Sequence, residues 1–193
     1  MTSVVIAGAG MMLAAGVRTA GLSRLAGCPL PIRAGKGYGF DDTGGSLPLR
    51  HSVCLSEAKV AITPLAGGRV RFAGTMELGS ADDTVDPHRP RGIVRSAGEY
   101  LKGGPPASPP HAWTGARPMT PDGLPAIGPL PGRDNVLVAS GHAMLGVTLA
   151  PATAELVTAM LNAGTAADGL PDAARPFLPQ RLVTRYRRPG AAA

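Results

Sequence analysis

The chain has 193 residues, a formal net charge of +6, and 44% hydrophobic against 17% charged residues. This length holds one domain with a core, or a small domain plus part of another, and the composition is that of a globular protein. The 27 glycines and 20 prolines predict many turns and few long helices. Cys28 and Cys54 lack CxxC spacing, which argues against a zinc ribbon or a redox dithiol and favours a reducing cytoplasm.

The basic charge raises the question of a nucleic-acid partner. The basic residues are scattered except for Arg181, Arg185, Arg187 and Arg188, and three Phe, three Tyr and one Trp offer little surface for base stacking. We therefore expect a solvated basic tail over residues 181–193, with a nucleic-acid module as the weaker alternative. Residues 1–16 are apolar but short and broken by glycine, so we expect no membrane span.

The first two predicted elements are a buried strand over residues 4–7 and a helix over residues 13–25. Between them, Gly8-Ala9-Gly10 resembles the start of a dinucleotide-binding loop. The third glycine position falls on Leu13, however, and no acidic residue follows about 20 positions on to bind a ribose. A plain strand-to-helix turn is the better interpretation, and a vestige of the loop stays open.

The central elements alternate between extended segments and turns. Residues 59–65 and 69–75 flank Ala66-Gly67-Gly68, which predicts a β-hairpin. The other expected elements, in chain order, are an extended segment over 31–40, a turn over 41–46, a helix over 87–101, a proline-rich loop over 105–110, and a strand over 112–117.

The last predicted unit is a strand over residues 135–139, a glycine-bearing turn over 140–146, and a helix over 147–162. Free backbone N–H groups and the helix dipole at such a turn would stabilise negative charge. From the residues alone, it could be any strand-turn-helix.

Residues 113–128 place Arg117 between a strand and a turn-forming run. An arginine can bind a carboxylate through two parallel hydrogen bonds, which fixes orientation as well as charge. The alternative is that Arg117 merely pairs with Asp122. The four histidines have no metal-ligand spacing, so no metal site is expected.

Together these stretches carry a resemblance. W-T-G-x-R-P-M-T-P-D-G-x-P-x-I-G, followed by S-G-H-x-x-x-G-x-T-L-A-P-A-T, resembles the C-terminal signature of the FAD-dependent D-amino-acid dehydrogenase and glycine oxidase superfamily. Residues 14–25, 30–38 and 69–77 resemble further segments of that family, so the similarity covers about residues 14–180.

The resemblance implies an α+β fold that combines an α/β-type FAD-domain remnant with an antiparallel substrate-binding region. It implies the following segments: FAD-domain remnant, 1–30; antiparallel sheet with one helix, 31–118; C-terminal FAD-domain segment, 119–180; basic tail, 181–193.

The resemblance also implies FAD-dependent oxidation of an amino acid, in which the flavin takes a hydride from the α-carbon and the imino acid product hydrolyses. Arg117 is expected to clamp the substrate carboxylate, and Tyr38 to line the same pocket. The residues expected to contact FAD are Gly141, His142, Met144, Leu145, Gly146, Val147 and Thr148. Some oxidase relatives carry an arginine where Ala143-Met144-Leu145 stands, so its absence here favours the dehydrogenase branch.

The chain departs from the family pattern at its start, where at most 13 residues could serve as the first nucleotide-binding turn. We therefore expect the C-terminal portion of an enzyme that alone binds flavin weakly. An inactive fragment, or a subunit that shares flavin with a partner chain supplying the rest of the FAD domain, stays open.

Overall fold

A computed structural model describes residues 4–7, 10–44, 47–79, 81–102, 109, 111–162 and 172–185. The chain forms two compact units: residues 1–34 with 117–193, and residues 35–116. No helix in the described part of the chain is long and apolar enough to cross a membrane.

The first unit is built on a mixed four-stranded sheet. Its strands are β1 (Val4–Ala7), β2 (Gly10–Leu13), β8 (Ala126–Pro129) and β9 (Val136–Ser140). They lie in the order β1-β2-β9-β8 across the sheet. β2 and β9 are parallel, with Leu13 opposite Val138, whereas β1 and β8 are antiparallel to their neighbours. The carboxyl ends of β2 and β9 therefore lie at the same edge of the sheet.

Helices cover both faces of this sheet. They are α1 (Thr19–Leu25), α3 (Ala150–Asn162) and α4 (Gln180–Arg185). Because side chains alternate along a strand, Val136 and Val138 pack with Leu182 of α4, whereas Leu137 packs with Val157 and Met160 of α3. The result is a three-layer arrangement of the α/β type.

The second unit is a five-stranded sheet whose first four strands in chain order pair antiparallel, with one helix, α2 (His88–Gly98), against one face. Its strands are β3 (Arg33–Asp42), β4 (Val53–Leu55), β5 (Val60–Pro64), β6 (Val70–Leu78) and β7 (Trp113–Met119). They lie in the order β4-β5-β6-β3-β7 across the sheet. The end of β7, from Arg117, belongs to the first unit. Phe40 and Phe72 stack in the core with ring centroids 5.0 Å apart.

The α+β fold class is confirmed. The predicted hairpin of residues 59–65 and 69–75 is confirmed as β5 and β6, and the predicted helix over residues 87–101 is confirmed as α2. The interpretation of Gly8-Ala9-Gly10 as a strand-to-helix turn is wrong. Ala7 pairs with Gly10 in an antiparallel register, so a second strand follows and the first helix, α1, begins only at Thr19. Gly8 and Ala9 themselves lie outside the described residues.

The basic tail is also corrected, because its first residues are part of the folded unit. Residues 180–185 form α4, and Leu182 is buried in the core beside Leu13. The remaining residues of the predicted tail, 186–193, lie outside the described part.

Candidate flavin and carboxylate site

Two turns lie side by side at the carboxyl edge of the parallel pair β2 and β9. The first follows β2, where Gly16 adopts a positive φ of 55°. The second follows β9 and begins at Ser140, whose hydroxyl donates to the Gly16 carbonyl at 3.1 Å. The carboxyl ends of parallel strands are the usual location of ligand sites in α/β sheets.

The second turn, residues 141–149, has two residues with left-handed backbone angles, Gly141 at φ 83° and Ala143 at φ 49°. A non-glycine residue in this region is uncommon and is found most often where the surrounding structure enforces it. Here the Ala143 N–H donates to the Pro118 carbonyl at 3.0 Å. Gly141 in turn packs closely on Thr120, whose Cγ2 would lie 2.6 Å from a Cβ at position 141.

These contacts join the two sequence stretches that carried the resemblance. Arg117 and Pro118 end β7, and the Pro118 carbonyl is bonded to the turn that precedes α3. The Arg117 side chain is partly exposed, and within the described residues it has no hydrogen-bond or ion-pair partner. Asp122 pairs instead with Arg181, so the alternative of an Arg117–Asp122 pair is wrong.

The end of the second turn presents unbonded donors. Leu149 N–H bonds to the Leu145 carbonyl and Ala150 N–H to the Val147 carbonyl. In contrast, the N–H groups of Gly146, Val147 and Thr148 donate no hydrogen bond within the described part of the chain. α3 begins at Ala150, three residues later than expected, and its dipole adds positive potential at these groups.

Apolar side chains of the same turn are exposed. Met144, Leu145 and Val147 are 70%, 55% and 91% exposed. A planar aromatic ring with hydrogen-bond acceptors on its edge would cover an apolar patch of this kind and accept hydrogen bonds from the N–H groups beside it. A Cβ added at Gly146 would make only an ordinary contact, with the His142 Cβ at 3.6 Å. The turn therefore suits a flat aromatic ring such as that of a flavin, and its contact with the pyrimidine side stays a prediction.

His142 directs its ring toward α3, where Nε2 lies 3.0 Å from the Thr153 hydroxyl oxygen. The Thr153 hydroxyl gives its own proton to the Leu149 carbonyl at 2.8 Å, so the imidazole must be the donor and carries its proton on Nε2. Burial lowers the pKa of His142, which keeps the ring neutral near pH 7. The ring thus braces the turn against α3, and the contact of His142 with FAD stays a prediction.

This burial predicts a pH dependence of stability. A histidine whose folded-state pKa is depressed binds its proton more weakly than the unfolded chain does, so the free energy of unfolding falls as pH drops below about 6.5. We expect His142→Gln, which retains a donor toward Thr153, to reduce this acid destabilisation. Thermal unfolding at pH 5 and pH 8 measures it, and an unchanged pH dependence in the variant would contradict the burial of the ring.

Tyr38 has a different environment from a pocket-lining residue. Its side chain is fully buried, and its hydroxyl donates to Glu77 Oε2 at 2.7 Å. Burial and this hydrogen bond to a carboxylate both raise the pKa of Tyr38. The buried Lys36 ammonium lies 5.5 Å from its ring centroid and pairs with Asp82 at 2.8 Å. The structure thus places Tyr38 in a buried network of the second unit.

The sequence alone placed Arg181 in a solvated tail and did not predict its ion pair. Its guanidinium forms a two-pronged ion pair with Asp122, with Nε at 2.8 Å from Oδ2 and Nη2 at 3.2 Å from Oδ1. Burial alone would raise the pKa of Asp122, but the hydrogen bonds from Arg181 and the Leu124 N–H outweigh it and lower the pKa. Because the partners are 59 positions apart, no local pattern announces the pair.

The sequence profile of the FAD dependent oxidoreductase family (DAO) matches residues 3–160. The chain belongs to this family. Members of the family bind FAD, and the donors and apolar surface of residues 141–149 suit that cofactor.

Several named proteins are similar to the chain. It is 35% identical to a D-amino acid dehydrogenase of Methylobacterium nodulans over 83% of its length and 38% of that protein. It is 33% identical to a glycine oxidase of Pseudomonas putida over 91% of its length and 47% of that protein. The chain therefore spans less than half the length of these relatives.

Solved structures show the same fold. The glycine oxidase of Geobacillus kaustophilus superposes with a TM-score of 0.68 at 23% identity, covering 97% of this chain and 52% of that one. The L-proline dehydrogenase from P. horikoshii superposes with a TM-score of 0.73 at 18% identity, covering 95% and 54%.

Proposed function

We propose that the chain is the C-terminal portion of an FAD-dependent enzyme that oxidatively deaminates a D-amino acid. The observation that carries the proposal is the hydrogen bond between Ala143 N–H and the Pro118 carbonyl. It joins the strand end that bears an unpaired Arg117 to the turn that bears three unbonded N–H donors. The named relatives, D-amino acid dehydrogenases and glycine oxidases, support this substrate class.

A bound flavin would supply the two-electron oxidation of the amino acid at its α-carbon, and the residues of this chain would supply position and charge. Arg117 binds the substrate carboxylate through its fork of donors. The N–H groups of Gly146, Val147 and Thr148, reinforced by the dipole of α3, would stabilise negative charge on a flavin held at this turn. The apolar Met144 and Leu145 would exclude water beside it. Tyr38 is buried in the second unit with its hydroxyl bonded to Glu77, and its role beside the substrate stays a prediction.

The second candidate is a chain that works with a partner supplying the rest of the FAD domain. The chain covers 38% and 47% of the lengths of the first relatives, and in this candidate a second polypeptide supplies the uncovered part. Cys28 and Cys54 are both free thiols, which supports a reducing compartment such as the cytoplasm.

The ion pair of Arg181 with Asp122 removes one cation from the basic cluster and weakens the nucleic-acid alternative.

One experiment tests the substrate class and the partner together. The tagged chain is purified from its own cells, its visible spectrum is recorded, and dye reduction is assayed with D-alanine, L-alanine and glycine. We expect reduction with D-alanine, in a fraction that contains a second polypeptide if the partner is required. A flavin-containing preparation that reduces dye with neither D-alanine nor glycine would reject an amino-acid substrate of this kind.

A further inference from the structure

The Arg181–Asp122 ion pair is largely withdrawn from solvent, with the two side chains 19% and 15% exposed. Charge pairs of this geometry are stronger and more directional than exposed pairs. Removing one partner leaves the other charge uncompensated, so the pair fixes the local geometry of both segments that carry it.

The same guanidinium holds two carbonyl groups. Nη2 donates to the Leu124 carbonyl at 2.7 Å, and Nη1 donates to the Leu178 carbonyl at 3.1 Å. The Leu124 carbonyl also accepts from the Thr120 hydroxyl at 2.8 Å, and Asp122 Oδ1 accepts from the Leu124 N–H at 3.2 Å. Arg181 of α4 therefore holds the turn of residues 120–124 at Asp122 and Leu124, and the Thr120 hydroxyl ties the start of the turn to the same Leu124 carbonyl.

This turn supports the candidate site directly. It follows Arg117 and Pro118 in the chain, and the Pro118 carbonyl holds the Ala143 N–H. The Thr120 methyl group packs against Gly141, where the second turn begins. A displacement of residues 120–124 would thus move both the carboxylate clamp and the turn expected to contact the flavin.

We propose that Arg181 is a positioning residue that, through Asp122 and the turn of residues 120–124, orients Arg117 toward the substrate carboxylate. The inference rests on the proposed function. Arg181 lies beyond residues 3–160, which the family profile matches.

The first test needs no activity. Hydrogen exchange is followed by mass spectrometry in the full chain and in Arg181→Met, which keeps the length of the side chain but removes its donors. We expect roughly tenfold faster exchange of the Leu124 and Ala143 amides in the variant. The matched control is Arg175→Met, since Arg175 pairs with Asp172 at 2.9 Å but the two side chains are 72% and 91% exposed. Unchanged exchange at Leu124 and Ala143 in folded Arg181→Met would overturn the proposal.

The second test asks whether Arg181 acts through Arg117. In the flavin-loaded enzyme with its partner, Arg181→Met should raise KM for the amino acid about tenfold and kcat should change less. Combined with Arg117→Ala, it should add almost nothing, because the group that it positions is gone. A further tenfold loss in the double variant would show a general structural role and overturn the proposal.

The two tests distinguish a failure of the Arg181 proposal from a failure of the proposed function. If the parent oxidises no amino acid while Arg181→Met still loosens Leu124 and Ala143, the proposed function fails and the support of the turn stands. If Arg181→Met does not fold, Asp122→Asn, which keeps an acceptor for the Leu124 N–H, is measured in the same two ways and judged by the same outcomes.

Discussion

Replacing Arg117 with alanine is expected to lower kcat/KM for the amino acid roughly 100-fold in the flavin-loaded enzyme, mainly by raising KM. Truncating one partner of a hydrogen-bonded charge pair away from water costs about 2–5 kcal/mol, and each 1.36 kcal/mol is about tenfold in rate. Turnover should also fall, because a substrate held without the fork of donors is poorly oriented. Steady-state kinetics against amino-acid concentration measure both parameters.

Two control variants make this prediction specific. Arg117→Lys keeps the charge but not the planar fork, so it should recover only part of the loss. Arg91→Ala removes an equal charge from an exposed position of α2 and should leave the kinetics unchanged. Kinetics of Arg117→Ala within twofold of the parent would remove Arg117 from the site.

Replacing Gly146 with valine is expected to weaken flavin binding by roughly tenfold or more, since inserting bulk into a close contact costs about 1–3 kcal/mol. The chain itself accepts a Cβ at this position, because the nearest atom to it lies at an ordinary 3.6 Å. A loss of flavin affinity would thus report crowding of the ligand. Flavin content after purification, and titration of the apoprotein, measure the change.

Gly141 provides the contrasting variant. Its φ of 83° disfavours any side chain, and a Cβ would meet Thr120 Cγ2 at 2.6 Å, so Gly141→Ala should lower the thermal midpoint as well as flavin binding. Gly146→Val should leave the midpoint of the flavin-free chain unchanged. An unchanged flavin affinity in Gly146→Val would exclude the close approach of flavin to this turn.

Local patterns were enough to predict much of the fold. The β5–β6 hairpin follows from two apolar runs around a glycine turn, and α2 from a helical run that begins after Pro87. The strand-turn-helix at β9 and α3 was also expected, although the helix begins at Ala150 because the turn absorbs residues 147–149. In each case, neighbours in sequence determine the structure.

Tertiary pairing decided the features that were not foreseen. Gly10-Met11-Met12-Leu13 is too short and apolar to separate strand from helix by periodicity, and its parallel pairing with β9 makes it a strand. The burial of Tyr38 depends on Glu77, which the antiparallel pairing of β3 and β6 brings near from 39 positions away. The sequence placed Arg181 in a basic tail because its partner, Asp122, is distant in sequence.

The central claim, that the turn of residues 141–149 receives the flavin ring, is tested most directly by titrating the chain with riboflavin and with FAD. Visible absorption is recorded for the parent and for Gly146→Val. Because β1 and β2 form an antiparallel pair where a pyrophosphate-binding strand and helix would be needed, we predict weak and similar affinities for the two flavins. Both should be lost in Gly146→Val. Tight binding of FAD alone, equal in the parent and the variant, would contradict the account.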